Sequence, residues 1–186
     1  MEARDDLLRD WHFPWPGRRI VKRALAAGHQ VVATARNPQT LADLQKRFGD
    51  QVHLVQLDVT DPAAASGAVA SAVDAFGRSD VVVNNAGQGD HASLEDTTLD
   101  VFRRQVETNF LGTVYVIKAA IPVLRRRGGG RVIQISSVGG RIGSPGMTAH
   151  QSAKWAVGGF SGALAAEVGS LGIKVTVLEP GGMRTN

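Results

Sequence analysis

Ser137, His150 and Lys154 put a hydroxyl, an imidazole and an ammonium group into one short stretch, RVIQISSVGGRIGSPGMTAHQSAK. A hydroxyl can hold a substrate oxygen, an imidazole can move a proton near neutral pH, and an ammonium can steady developing charge. His150 and Lys154 are four residues apart, so on a helix they share a face. The chemistry this points to is proton transfer at an oxygen, carried out beside a cation.

These groups have to be positioned by a strand and a helix. Residues 131–135 read as a short buried strand, preceded by glycines, with Ser136 and Ser137 at its end. A loop rich in Gly, Ser and Pro follows, and a helix begins near Ala149. The hydroxyl then stands at the carboxyl end of a strand, the edge where open α/β sheets bind ligands.

The rest of the chain repeats this pattern. Helices are expected over 18–27, 38–48, 62–76, 98–127 and 150–170, and strands over 29–35, 52–57, 80–83, 131–135 and 174–178. Asp61 and Pro62 form an N-terminal cap and a favoured first helical residue. In the long helix 98–127, Phe102, Val106, Phe110, Val114, Ile117 and Ile121 are expected to face inward, and Pro122 to introduce a bend. Strands alternating with helices argue a mostly parallel, doubly wound α/β sheet of Rossmann type.

A second stretch, VVVNNAG over 81–87, ends a strand in two amides and a glycine. Read alone, Asn84, Asn85, Ala86 and Gly87 are as consistent with a plain turn as with a ligand edge. Asn109, inside the long helix, is a poor helix former that could simply face solvent. Asp58 follows a strand and could be a local cap. Arg36 closes the first visible strand, where a cation would meet a ribose 2′-phosphate and an acid would meet a 2′-hydroxyl. EPGGMRT over 179–185 follows the last visible strand and could be a Pro-Gly turn.

Taken in order, these motifs resemble the short-chain dehydrogenase/reductase family over residues 17–186. The family pattern is Asn-Asn-Ala-Gly, a helical Asn, a Ser, Tyr-x-x-x-Lys and Pro-Gly-x-x-x-Thr, and all but the Tyr stand here at family spacing. The resemblance implies that Ser137 holds the substrate oxygen and that Lys154 holds the nicotinamide ribose. It implies that Asn109 belongs to a proton relay and that His150 occupies the place of the acid. It further implies that Gly17, Asp58, Asn84, Asn85, Ala86, Gly87, Pro180, Gly181 and Thr185 line the cofactor. With Arg36, the cofactor expected is NADP rather than NAD. Family members pair through the helices at 98–127 and 150–170, which implies a homodimer or homotetramer.

The chain departs from the family in three places. The family opens with a strand and a glycine-rich loop whose backbone approaches the pyrophosphate. Here only Gly17 remains of those glycines, and residues 1–16 read as an irregular, displaced start. The first strand, expected between those at 29–35 and 80–83, is therefore absent from the pattern. The second departure is His150 in place of Tyr. A phenol starts near pKa ~10 and must be lowered, whereas imidazole starts near ~6.5. Imidazole has a shorter reach, and the Lys154 charge pushes it away from the protonated form. The third is the end at Asn186, before the family's substrate-covering loop and last strand.

Composition bounds the remaining options. The 186 residues suit one domain, and 43 % hydrophobic residues favour a folded core over disorder. The absence of cysteine excludes disulfides and Cys-ligated zinc and fits a reducing cytoplasm. The opening MEARDDLLRD has no apolar run, so it does not read as a secretory signal, and no span is expected to cross a bilayer. The net charge is +4, and its one basic run, Arg125 to Arg127, suits a helix C-terminus better than a nucleic-acid footprint.

The reading that follows is an NADP(H)-dependent oxidoreductase acting on a small carbonyl or alcohol, with no metal. The alternatives are an inactive Rossmann remnant that binds nucleotide or only pairs with other subunits, and a non-redox proton transfer by His150.

Overall fold

A computed structural model describes residues 15–182. The chain alternates helix and strand: α1 (Trp15–Ala26), β1 (Val31–Ala35), α2 (Ala42–Phe48), β2 (Val52–Gln56), α3 (Pro62–Phe76), β3 (Val81–Asn84), α4 (Leu99–Val106), α5 (Gly112–Arg126), β4 (Gly130–Ile135), α6 (Thr148–Val168) and β5 (Ile173–Leu178). Every strand pairing is parallel, as the short β-branched strands joined by helices require. The expected α/β class is what the chain adopts.

The strands fall into two groups, β1 beside β2 and β3-β4-β5. Among the described residues no strand joins β1 to β3, which is where the sequence pattern lacks one. Val81 and Val83 on β3 are accordingly 48 % and 36 % exposed, unusual for the apolar residues of a parallel strand. Helix packing carries the structure across this gap. Leu57, Ala65, Ala68 and Val116 form one buried cluster, with Val55 of β2 and Val82 of β3 both packed against it. A second cluster, Leu25, Ala33, Leu44 and Val52, joins α1 and α2 to β1 and β2. A third, Ile117, Leu124, Val132, Leu164, Val168 and Ile173, seats α5 and α6 on β4 and β5.

Local signals are realised as the sequence implies. Asp61 accepts from the backbone N–H of Ala63 and Ala64 at the start of α3. The arginine run ends α5, and Gly128, at φ +86°, turns the chain back so that Gly129 N–H reaches the Leu124 carbonyl.

The long helix differs from its reading in two respects. A π-helical turn over Glu107–Leu111 interrupts it, and α5 continues through Pro122 to Arg126. The π turn contains Asn109, and functional helices often carry such a turn. The inward face is also shifted. Gln105, Asn109, Thr113, Val116, Ile117, Ala120 and Leu124 are buried, whereas of the six apolar residues expected inside only Ile117 is fully so. The first half of this face meets loop backbone rather than core, so it needs hydrogen-bonding side chains.

Candidate active site

The carboxyl ends of β3 and β4, the N-terminal turns of α6 and the π turn converge on one cluster. Lys154 reaches it from α6. Its Nζ donates to the Ile135 carbonyl at the end of β4, at 2.8 Å. The residue is 5 % exposed, and burial lowers its pKa to about 8. That one bond leaves two ammonium donors without a described partner.

Asn109 is 1 % exposed and fully engaged. Its Oδ1 accepts from Gln88 N–H at 2.9 Å, and its Nδ2 donates to the carbonyls of Gln88 and Gln105 at 2.7 and 2.9 Å. Gly87 lies between the two side chains. A first side-chain carbon there would stand 2.8 Å from Asn109 Oδ1 and 3.4 Å from Lys154 Nζ, so only glycine lets the strand end come this close.

His150, one turn before Lys154, is partly buried. Its Nδ1 lies 3.0 Å from the Gln88 carbonyl, which Asn109 also holds. The ring packs on Gly89, where a β-carbon would come within 3.1 Å of Nδ1. Burial depresses the His150 pKa most, the bond to Gln88 opposes this, and the Lys154 charge lowers it further. Ser137 caps the short 3₁₀ turn Val138–Gly140, its Oγ accepting from Gly139 N–H at 3.0 Å. Ser136 turns to the Lys154 carbonyl instead.

The expected cofactor residues are dispersed over α1 and the carboxyl ends of strands in both groups. Asn84 donates to Gln134 across the β3–β4 pair at 2.9 Å. Asn85 Oδ1 is shut away from solvent with no donor among the described residues. Gly17, on α1, faces Asn85 so closely that a β-carbon would stand 2.6 Å from Asn85 Nδ2. Ala86 is exposed between Asn85 and Gly87. Asp58 accepts from the N–H and Oγ of Thr60, the local cap that its position also allowed, and these bonds lower its pKa, with a smaller contribution from Arg36. Arg36 is exposed at the end of β1. Pro180 accepts from Val138 N–H, and Gly181 is exposed. Thr185 and residues 1–14 lie outside the described residues.

Two contributors had no motif to announce them. One is the Gln88 carbonyl, a backbone group that any residue type could supply. The other is Gln105, 1 % exposed, whose Oε1 accepts from Asp90 N–H. A buried amide one turn before Asn109 was its only trace. Among the described residues no group of His, Cys, Asp and Glu could hold a metal, and no helix is long and apolar enough to cross a membrane.

The unspent donors of Lys154 beside Gly87 fit the hydroxyls of a ribose. A parallel α/β sheet with polar groups gathered at its carboxyl edge defines a nucleotide-binding class of fold. The chain belongs to the short-chain dehydrogenase family, whose family model matches residues 17–186. It is 54 % identical over 171 residues to Oxidoreductase BOA17 of Botryotinia fuckeliana (strain B05.10), covering 91 % of this chain and 62 % of that protein. It is 37 % identical over 179 residues to Dehydrogenase/reductase SDR family member 7B of Bos taurus, covering 91 % and 55 %. The chain thus spans less than two thirds of the length of these relatives. A short-chain dehydrogenase from Streptomyces avermitilis superposes with a TM-score of 0.88 at 39 % identity, covering 91 % of this chain and 64 % of that one. A structure titled ElxO with NADP Bound gives 0.84 at 30 % identity, covering 89 % and 68 %.

Proposed function

We propose that this chain carries the site of an oxidoreductase that interconverts a small carbonyl and its alcohol with NADP(H). The observation that carries this reading is the convergence of Lys154 Nζ, Asn109 and Gly87 beside His150. In this reading Ser137 holds the substrate oxygen, His150 exchanges its proton, Lys154 binds the nicotinamide ribose, and Asn109 fixes the loop that frames them. Bound there, the nicotinamide supplies the hydride chemistry. Asn84, Asn85, Ala86, Gly87, Pro180, Gly181 and Thr185 line its path. Gly17 shapes the same edge by admitting Asn85, and Arg36 beside Asp58 selects the phosphorylated form. The substrate is a small molecule, and the working unit is a homodimer or homotetramer.

A titration of the purified chain with NADPH and NADH, followed by calorimetry, tests this. Binding that favours NADPH and disappears in Lys154→Met is expected. Failure of both nucleotides to bind would sink the reading.

The second reading is a member that binds nucleotide without turnover. It is favoured by the edges of β1 and β3, which have no strand between them among the described residues. Binding with no reaction over a panel of carbonyls and alcohols would select it.

A further inference from the structure

The Gln88 carbonyl is an acceptor only, so the His150 nitrogen that faces it, Nδ1, must carry the hydrogen of the bond. Asn109 holds that carbonyl from the other side, through Nδ2, and holds the N–H of the same residue through Oδ1. The carbonyl therefore cannot turn away to release the ring. His150 is only partly buried, and its Nε2 has no hydrogen-bond partner among the described residues, which leaves that nitrogen available to a ligand.

From this geometry we infer that Gln88 and Asn109 act as positioning residues that lock His150 as the Nδ1–H tautomer, making Nε2 a proton acceptor for an alcohol. The inference rests on the oxidoreductase reading. In the proton step the alcohol O–H bond breaks and an Nε2–H bond forms. The two electrons leave with the carbinol hydride, for which the oxidised nicotinamide is the acceptor, and a carbonyl remains. Carbonyl reduction runs the same path backwards and needs the imidazolium. Burial and, to a smaller extent, the Lys154 charge disfavour that form, with the bond to Gln88 opposing them. Asp90 and His91 follow Gly89 on the loop against the ring, and Asp90 faces Arg104.

Two measurements test this. Long-range 1H–15N correlation of the 15N-histidine-labelled chain reads the tautomer directly, and His150→Asn assigns the signal among the five histidines. His150 should be protonated at Nδ1 at neutral pH. In Asn109→Leu, with folding checked by circular dichroism, it should shift toward the Nε2–H form. An Nε2–H tautomer in the intact chain overturns the inference. The second measurement is the pH dependence of kcat/KM. Alcohol oxidation should level off once pH has risen past the His150 titration, which burial moves below the ordinary imidazole range. Carbonyl reduction should fall tenfold per pH unit above it, with any further break near the Lys154 value of about 8. Reduction that stays flat through neutral pH also overturns the inference. A chain without turnover would overturn the oxidoreductase reading and leave the tautomer to decide this one.

Discussion

Asn109 grips Gln88 at both ends of one residue, accepting from its N–H at 2.9 Å and donating to its carbonyl at 2.7 Å. A side chain thereby imitates a paired strand for a loop that has none. The π turn makes this geometry available by pushing Asn109 inward, and Gln105 extends the grip to Asp90. The loop carrying the His150 partner is thus part of the helix rather than a free connection.

Asn109→Asp should destabilise the chain by about 2–5 kcal/mol, because two carbonyls lose their donor and face a buried acid. Denaturant unfolding at neutral pH measures it. A loss below about 1 kcal/mol would show that the loop is held by other contacts.

Lys154→Met should raise stability while abolishing cofactor binding. A buried ammonium costs free energy that an apolar side chain of similar length does not. The sign with pH follows from the lowered pKa. Between about 8 and 10.5 the unfolded chain binds the extra proton, so stability rises with pH across that window. The full effect is on the order of 3 kcal/mol. Unfolding midpoints at neutral and alkaline pH should differ in the parent chain and differ less in Lys154→Met.

Arg36→Asp should shift the NADPH to NADH binding ratio by about tenfold or more toward NADH, the scale of one charge-assisted hydrogen bond. Calorimetry with both nucleotides reads the ratio. An unchanged ratio would reduce Arg36 to an ordinary surface residue.

Leu124→Ala should cost about 2–5 kcal/mol, since Leu124 is fully buried in the cluster that seats α5 and α6 on β4 and β5. Leu99→Ala, at a position 71 % exposed, should stay within about 0.5 kcal/mol. Equal losses at the two positions would contradict the packing described.

The sequence by itself determined the α/β class, the parallel strands, the Asp61 cap and the glycine end of α5. Each is written in local periodicity or in one residue's conformational preference. It also set Ser137 just past the end of β4 and Lys154 on the helix that follows, and Lys154 Nζ reaches the Ile135 carbonyl at that strand end. What it misjudged was the long helix. Apolar spacing picked Phe102, Val106, Phe110 and Val114 as the inward face, but burial follows whatever the neighbouring element demands. Here the neighbour is loop backbone, which selects Gln105 and Asn109. Only the tertiary structure decided that Gln88, sixty-two positions from His150, supplies the carbonyl that orients its ring. A backbone acceptor has no residue type to betray it, so that contact exists only once the chain has folded.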